Sequence, residues 1–287
     1  MSAVIIDGKA TAKRLRKEVK SEVAELVARG ITPTLAVIIV GDDPASRVYV
    51  TNKEKDCEKC GIVSLEFALP ADAGQSKLEA LVGELNARND VHGVLVQLPL
   101  PKGYDERRIL DLIDPRKDVD AFHPINVGRI VRGDYAFLPC TPAGVMALID
   151  EYGIEVEGRE CVVVGRSNIV GKPMSLLLLH RNGTVTTCHS RTKNLAEVCR
   201  RADILVSAVG KIGVITPDMV KPGACVIDVA INTAPDGSLV GDCADGVSEV
   251  AGYITPVPGG VGPMTRVMLL RNTLTAARLL CGVSAEQ

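Results

Sequence analysis

The segment 161–173, CVVVGRSNIVGKP, predicts a strand, a tight turn and the start of a helix. Three valines precede Gly165, and a helical pattern follows over 169–181. Such a turn presents backbone N–H groups at the positive end of a helix, which suits a phosphate group. Ser167 occupies the place of the second glycine in a G-x-G-x-x-G fingerprint. The segment alone therefore leaves two alternatives, a dinucleotide-binding turn and an ordinary strand-to-helix turn.

The chain after this segment repeats the alternation of strand and helix. Apolar and β-branched runs at 184–188, 204–209 and 224–230 predict strands, and the pattern at 195–201 predicts a helix. Strands that alternate with helices favour a parallel sheet with right-handed crossovers. This half of the chain is therefore expected to be Rossmann-like.

The chain before the segment carries the same pattern. Runs at 35–40, 62–67 and 93–98 predict strands with helices between them. Asp43 followed by Pro44 predicts the capped start of the first of these helices. The continuous apolar run LAVIIV at 35–40 is typical of a strand that is buried on both faces. The fold class is therefore expected to be α/β, with two domains that are each a parallel-sheet unit.

A proline-rich segment at 139–142 marks the boundary between the two halves. Thr141 is expected to cap a helix that has Pro142 at its first position. The expected domains are 1–139, completed by a last helix at 264–287, and the Rossmann-like 140–263.

Two segments lack the periodicity of helix or strand. The segment 117–129, KDVDAFHPINVGR, is rich in Asp, Pro, Asn and His, and 255–265, TPVPGGVGPMT, is rich in Gly and Pro. Irregular segments of this composition often carry function. Both are therefore expected to be structured loops near a ligand.

Composition excludes several classes of function. With 24% charged residues and a formal net charge of −2 over 287 residues, nothing indicates a nucleic-acid or anionic-membrane partner. No stretch approaches the ~20 apolar residues that a membrane helix needs. The first residues lack the pattern of a signal peptide, so a cytoplasmic protein is expected.

The nine cysteines predict reduced thiols rather than a disulfide framework, because their number is odd and they lie in apolar or helical segments. Cys57 and Cys60 form a C-x-x-C without a second pair at zinc spacing. No metal site is therefore expected.

The second strand of the Rossmann-like half indicates the cofactor. It ends in His189-Ser190-Arg191, without the acidic residue that usually binds the ribose of NAD. Ser190 and Arg191, together with Arg166, would suit a 2′-phosphate. This favours NADP over NAD, with a solvated loop arginine as the alternative.

Four polar side chains of the first half indicate acid–base chemistry and substrate binding. Tyr49 and Lys53 share one face of a predicted helix, and Gln97 follows a strand at the carboxyl end, where parallel sheets bind ligands. A lysine shielded from water can donate and accept protons, and Gln97 could orient its amine. Asp120 could hold an amidine-like edge by two hydrogen bonds. The alternatives are an amphipathic surface for Tyr49 and Lys53 and a loop salt bridge for Asp120.

Together, these segments resemble the bifunctional methylenetetrahydrofolate dehydrogenase/cyclohydrolase family. The resemblance covers 5–280 in the family's order, and several of its motifs are highly specific. The motifs are SRVYVTNKEK, VQLPLP, KDVDAFHPINVGR, PCTPAG, GRSNIVGKP, TVTTCHSRT, GACVIDVAIN and TPVPGGVGPMT.

The resemblance implies an enzyme of one-carbon metabolism and purine biosynthesis, an oxidoreductase and hydrolase in one chain. Its first reaction would be NADP-dependent oxidation of 5,10-methylenetetrahydrofolate to 5,10-methenyltetrahydrofolate. Its second would be hydrolysis of that product to 10-formyltetrahydrofolate. The resemblance also implies a folate cleft between two domains, and a homodimer.

The resemblance further implies roles for particular residues. Lys53 would be the catalytic lysine of hydrolysis, oriented by Gln97, while Tyr49 would position the folate and Asp120 would hold the pterin edge. NADP would be bound by Gly165, Arg166, Ser167, Ser190, Arg191 and Ile231. Further substrate-binding positions would be Val96, Leu98, Pro258, Gly259, Gly260, Val261, Gly262, Pro263 and Thr265.

Three residues depart from the family's pattern. Ala121 and Ala230 replace glycines, and Arg266 replaces a small or apolar residue. A methyl group matters where glycine has a positive φ or lets a ligand approach. These residues are expected to tune substrate affinity or the balance of the two activities.

Three other functions are alternatives to this one. They are a monofunctional methylenetetrahydrofolate dehydrogenase, a non-catalytic NADP-binding module, and another two-domain NAD(P) oxidoreductase. Lys53 and Gln97 favour a working cyclohydrolase. The last alternative leaves Tyr49, Asp120 and 258–265 without a function.

Overall fold

The computed structural model describes residues 2–283, which form two compact units. The six-stranded unit comprises the chain up to Lys13 together with Thr141–Thr265. The three-stranded unit comprises Arg14–Cys140 together with the chain from Arg266 onward. The domain limits expected from sequence differ from these mainly at the amino-terminal segment, and as functional boundaries they stay a prediction.

Strands and helices alternate along most of the described chain. The strands are β1 (Val4–Ile5), β2 (Thr34–Val40), β3 (Val63–Leu69), β4 (Gly93–Val96), β5 (Glu160–Val164), β6 (Thr184–Cys188), β7 (Ile204–Ser207), β8 (Cys225–Asp228), β9 (Asn232–Thr233), β10 (Leu239–Val240) and β11 (Tyr253–Ile254). The helices are α1 (Gly8–Ala28), α2 (Pro44–Cys60), α3 (Gln75–Ala87), α4 (Glu106–Leu112), α5 (Pro124–Arg132), α6 (Cys140–Glu151), α7 (Gly171–His180), α8 (Leu195–Arg200), α9 (Val247–Val250) and α10 (Val261–Leu280). The expected α/β class is confirmed.

The six-stranded unit is built on a parallel sheet in the order β1-β11-β8-β7-β5-β6. Strands β7 and β8 are buried along their whole length, as expected of parallel strands that are covered on both faces. Val164 of β5 is level with Cys188 and Ser207, and Ser207 is level with Asp228. The turns that follow β5, β6, β7 and β8 therefore share one edge of the sheet, the carboxyl edge.

Strands β1 and β11 were not predicted from sequence. Each has two residues, and two residues are too few to show an alternating pattern. Their pairing adds the amino-terminal segment to the six-stranded sheet. A separate antiparallel pair, β9 and β10, lies outside that sheet.

The three-stranded unit has a parallel sheet in the order β3-β2-β4. Strand β2 is buried at every residue because it is the central strand. The predicted start of α2 is confirmed: the Asp43 carboxylate accepts a hydrogen bond from the Ser46 N–H at 2.8 Å, and Pro44 follows the cap. Gly61 ends α2 with φ +79°.

Two segments expected to be irregular are partly helical. Within 117–129, α5 begins at Pro124, because the His123 Nδ1 caps it by accepting the Ile125 N–H at 3.1 Å. Within 255–265, α10 begins at Val261. Thr141 was expected to be an N-cap and is instead the second residue of α6. These predictions were wrong because prolines and glycines at helix starts resemble those of loops.

The described cysteines are all free thiols, and those of the C-x-x-C are both buried. Among residues 2–283, no three His, Cys, Asp or Glu side chains are arranged to hold a metal ion. In the same range, the helices are too short or too polar to cross a bilayer.

Candidate active site

A lysine and a glutamine meet in the three-stranded unit. The Lys53 Nζ donates a hydrogen bond to the Gln97 Oε1 at 3.0 Å. The Gln97 Nε2 donates to the Leu98 carbonyl at 2.7 Å, and the Gln97 N–H donates to the Ile38 carbonyl. Because its backbone and its amide group are both held, Gln97 presents its oxygen to the lysine in a fixed direction.

Tyr49 lies one helical turn before Lys53 on α2. Its side chain is 47% exposed, whereas Ser46 on the same helix is buried. Residues four apart on a helix are neighbours, so Tyr49 and Lys53 share a surface. The aromatic ring is therefore available to stack on a planar ligand beside the amine.

Asp120 carries a carboxyl group in a poorly solvated position. Burial raises its pKa, and the positive charge of Lys53 partly opposes that shift. The Cys140 Sγ lies 3.5 Å from the Asp120 Oδ1. Lys53 is thus close enough to Asp120 for its positive charge to stabilise the carboxylate. Since Lys53 also binds Gln97, the structure places three of the four predicted catalytic side chains near one another.

Buried polar groups hold the chain around Asp120. The Asn272 Nδ2 of α10 donates hydrogen bonds to the carbonyls of Val119 and Leu138 at 2.7 and 2.8 Å. The Asp118 Oδ2 accepts from the His123 N–H at 2.8 Å. His123 therefore has a structural role at the start of α5, and Asn272 braces the Asp120 segment from a distant part of the chain.

Sequence reasoning missed Cys140 and Asn272 as neighbours of this group. Cys140 was included in the PCTPAG motif but interpreted as part of a linker. Asn272 lies in a helical pattern, and no local signal relates it to Val119. Asn272 reaches Val119 only because the part of α10 from Arg266 onward packs within the three-stranded unit.

Ala121 has an unfavourable backbone conformation. Its φ is +58° and its side chain is fully buried. Only glycine adopts this region freely, so the methyl group that replaces a hydrogen at this position strains the chain next to Asp120. Ala230, by contrast, is not among the described residues with positive φ.

Arg266, the third departure, forms an ion pair within the three-stranded unit. Its Nε lies 3.3 Å from the Asp56 Oδ2, and the Arg16 Nη1 donates to the Asp56 Oδ1 at 2.9 Å. The Asp56 carboxylate is buried on α2, one turn after Lys53. Arg266 therefore neutralises a buried charge, and its effect on substrate affinity stays a prediction.

The six-stranded unit places the predicted cofactor residues along its carboxyl edge. Gly165 has φ +129°, and a Cβ there would lie 2.5 Å from the Ala208 carbonyl oxygen. The Ser167 Oγ accepts the Val170 and Gly171 N–H groups at 3.2 and 3.3 Å. Gly165 is therefore required by close packing, and Ser167 shapes the turn that leads into α7.

Two arginine side chains at this edge have no carboxylate partner among residues 2–283. Arg166 follows β5 and Arg191 follows β6, and both are exposed. Within residues 2–283, neither guanidinium group forms an ion pair. The turn that carries Arg191 is held by His189, whose Nδ1 accepts the Arg191 N–H at 3.2 Å. The arrangement fits an anionic group such as the 2′-phosphate of NADP, with exposed Ser190 beside it.

Ile231 follows β8 at the same edge and is 41% exposed. Its Cδ1 would lie 3.3 Å from a Cβ on Gly262, so it is next to the first turn of α10. The structure thus brings together a predicted cofactor residue and a predicted substrate residue in this unit.

The remaining substrate-binding predictions fall in both units. A Cβ on Gly260 would lie 2.7 Å from the Pro256 carbonyl oxygen, and the Thr265 and Thr141 hydroxyls lie 3.0 Å apart. Pro258 is exposed, and Gly259, Pro263 and Leu98 are half-buried. Val96 and Val261 are buried.

The family described as the tetrahydrofolate dehydrogenase/cyclohydrolase catalytic domain matches residues 6–120. The family described as its NAD(P)-binding domain matches residues 139–280. Together, the two matches cover most of the chain.

Similar proteins and structures extend over nearly the whole chain. The bifunctional protein FolD of Acetivibrio thermocellus is 58% identical over 97% of this chain and 98% of its own length. The crystal structure of the FolD methylenetetrahydrofolate dehydrogenase/cyclohydrolase of Campylobacter jejuni superposes with a TM-score of 0.95 at 48% identity, over 97% of this chain and 99% of that chain. The FolD of Trypanosoma brucei, complexed with NADP cofactor and inhibitor, has a TM-score of 0.92 at 42% identity, over 97% and 98% of the two chains.

Proposed function

Since the chain belongs to the tetrahydrofolate dehydrogenase/cyclohydrolase family, we propose that the side chains described above carry out the two reactions of that family. The protein is a bifunctional enzyme. It oxidises 5,10-methylenetetrahydrofolate to 5,10-methenyltetrahydrofolate with NADP, and it hydrolyses the product to 10-formyltetrahydrofolate.

The assignment of residues depends most on the hydrogen bond between Lys53 and Gln97. Hydrolysis begins when water adds to the electrophilic methenyl carbon and must lose a proton. A C–N bond of the resulting adduct then breaks, and the departing nitrogen must gain one. Lys53 is proposed to move these protons, and Gln97 to hold the amine in the direction of the reacting carbon.

Asp120 and Tyr49 are proposed to position the folate. An ionised Asp120 carboxylate can accept two hydrogen bonds from the N–H edge of the pterin ring. Tyr49 is exposed and can pack against the planar part of the substrate. Both contacts would hold the one-carbon group relative to the Lys53 amine.

The oxidation needs positioning more than a protein base. The lone pair of a folate nitrogen drives the departure of hydride from the methylene carbon, and NADP supplies the acceptor. The turn at Gly165–Ser167 is proposed to bind the phosphates, and Ile231 to contact the cofactor at the end of β8. Arg166 and Arg191, which form no ion pair with any residue of 2–283, are proposed to bind the 2′-phosphate together with Ser190.

Domain roles, location and assembly are proposed from weaker observations. We propose that the expected domain 1–139, completed by the last helix, carries the folate chemistry and that 140–263 binds NADP. The free, mostly buried thiols suit the reducing cytoplasm. A homodimer is proposed from the family resemblance, and sedimentation of the purified protein at twice its 30.4 kDa chain mass would test it.

The reaction itself can be tested on the purified protein. With NADP and 5,10-methylenetetrahydrofolate, the absorbance of 5,10-methenyltetrahydrofolate should appear and then decay. With 5,10-methenyltetrahydrofolate alone, the decay should occur without cofactor. Oxidation without any acceleration of hydrolysis would contradict the cyclohydrolase assignment, and binding of NADP without turnover would contradict both.

A further inference from the structure

We propose that Asp242 is a positioning residue for NADP binding, because its buried carboxylate fixes the loop 208–211 at the carboxyl edge of the six-stranded sheet. This inference rests on the proposed function for the place of the cofactor. It adds a residue that contributes no atom to the predicted NADP contacts.

The Asp242 carboxylate collects hydrogen bonds from the loop that follows β7. Its Oδ2 accepts from the Val209 N–H at 2.8 Å and the Gly210 N–H at 3.4 Å. Its Oδ1 accepts from the Lys211 N–H at 2.8 Å. Three successive backbone N–H groups therefore converge on one side chain, which sets the path of the loop.

The same carboxylate also binds the ends of two strands. The Ser207 hydroxyl, at the end of β7, donates to the Oδ2 at 2.8 Å. The Asn232 Nδ2, in β9, donates to the Oδ1 at 3.2 Å. Asn232 directly follows Ile231, a predicted cofactor contact. Asp242 thus connects the turn after β7 to the turn after β8.

Asp242 is itself held in place by a second buried carboxylate. The Asp228 Oδ1 accepts the Asp242 N–H at 2.9 Å, and the Asp228 Oδ2 accepts the Cys243 N–H at 2.8 Å. A Cβ on Gly241 would lie 2.0 Å from the Asp228 Oδ2, so only glycine fits between them. The contacts of Asp228 and Gly241 therefore fix the position of the Asp242 carboxylate at the carboxyl edge of the sheet.

The loop that Asp242 holds also packs on the phosphate-binding turn. Gly165 has no side chain, and a Cβ there would lie 2.5 Å from the Ala208 carbonyl oxygen. A shift of 208–211 would therefore change the space at Gly165. Asp242 is fully buried and forms no ion pair within residues 2–283, so these N–H and O–H donors supply the hydrogen bonds that its carboxyl oxygens need. Replacing the carboxylate should release the loop.

The test compares Asp242→Asn with the parent enzyme. The neutral amide keeps the size of the side chain but has one acceptor oxygen in place of two. We expect the Kd of NADP, titrated calorimetrically without folate, to rise roughly tenfold or more. Amide hydrogen exchange of 209–211 should accelerate in the cofactor-free protein. Hydrolysis of 5,10-methenyltetrahydrofolate should stay within about twofold, because it needs no cofactor.

Two further variants keep the test decisive. Asn232→Ala leaves the Asp242 carboxylate in place and removes one of its hydrogen-bond donors. It should therefore raise the Kd of NADP by a smaller factor. This variant replaces Asp242→Asn as the test if Asp242→Asn does not fold. Asp236→Asn is the matched control, because Asp236 is an exposed carboxylate that bonds only within its own turn, to Ser238, in the described structure. It should leave NADP binding unchanged.

An unchanged Kd of NADP in folded Asp242→Asn, or in Asn232→Ala when that variant decides, would overturn the inference. An equal loss of NADP binding and of hydrolysis would also overturn it, since that result indicates general damage to the fold. A parent protein that neither binds NADP nor hydrolyses 5,10-methenyltetrahydrofolate would instead refute the proposed function. The two failures are therefore distinguishable.

Discussion

Asp120 shows how a binding role and stability can oppose each other in one residue. Burial raises the pKa of its carboxyl group, so folding favours the protonated form. The stabilising contribution is complete below the ordinary aspartate pKa of about 3.9 and is lost as pH rises through the raised pKa. At neutral pH, the charge that is proposed to hold the pterin edge therefore destabilises the protein.

Asp120→Asn should accordingly stabilise the folded protein at neutral pH while weakening folate binding. We expect the melting temperature to rise by a few degrees at pH 7.5, with a gain that fades towards pH 4. Scanning calorimetry over this pH range measures the effect. Asp72→Asn, at an exposed position, is the control. A gain that grows as the pH falls would show that the sign is wrong.

Ala121 provides a second test at the scale of one residue. Ala121→Gly should stabilise the protein by about 1 kcal/mol, because glycine removes the strain at φ +58°. Urea denaturation measures this change. Ala24→Gly at an exposed position inside α1, where glycine should cost about 1 kcal/mol, is the control of opposite sign. Destabilisation by Ala121→Gly would contradict the strain argument.

At the scale of a single element, helix α2 carries Lys53 and also Asp56, a buried residue that forms an ion pair with Arg266. The Asp56 Oδ2 is buried and makes no hydrogen bond within the described chain, and the Arg266 Nε lies 3.3 Å from it. Arg266 departs from the family's pattern, and its partner could not be identified from sequence because Asp56 is 210 positions earlier.

Arg266→Met should therefore destabilise the protein by about 1–2 kcal/mol, as expected when a buried carboxylate loses a partner. Arg271→Met on the same helix is the control, because Arg271 pairs with Glu18 at the surface and should contribute less than about 0.5 kcal/mol. Denaturation curves of the two variants measure the difference. Equal stability would show that Arg266 does not support α2.

The turn after β6 determines the preference between NADP and NAD in this account. Arg191→Ala should raise the Kd of NADP roughly ten- to a hundredfold, because a charged partner of the 2′-phosphate is lost. The Kd of NAD should stay within about twofold. Arg200→Ala, at an exposed pair with Asp218, is the control. An equal effect on both cofactors would contradict the assignment of the phosphate site.

At this scale, the long periodic elements could be predicted from sequence, whereas the two-residue strands and the first turns of α5 and α10 could not. The apolar run of β2 and the cap of α2 are local signals, and both were confirmed. The two-residue strands β1 and β11 depend on pairing between distant segments, which no local pattern reveals. The start of α10 was missed because its glycines and prolines resemble those of a loop.

At the scale of the whole molecule, the family and the α/β class were predictable because the motifs cover nearly the entire chain. The hydrogen bond between Lys53 and Gln97 was anticipated from their places on a helix face and at a strand end. The contacts of Asp120 with Cys140, and of Asn272 with Val119, were not, since they join distant segments through packing. Asp242 was missed for the same reason.

The residues proposed for the two activities lie in different parts of the chain. Lys53 and Gln97 belong to the three-stranded unit, and the residues proposed to bind NADP belong to the six-stranded unit. One activity should therefore be removable by mutation without the other. Lys55, an exposed lysine on the same helix, offers a matched control for Lys53.

The most direct test measures hydrolysis of 5,10-methenyltetrahydrofolate by Lys53→Met alongside calorimetric NADP binding. We expect the rate of hydrolysis to fall at least a hundredfold, as for the loss of a general acid–base group, with the Kd of NADP within about twofold of the parent. Lys55→Met should match the parent in both measurements. Hydrolysis by Lys53→Met at the parent rate would contradict the account.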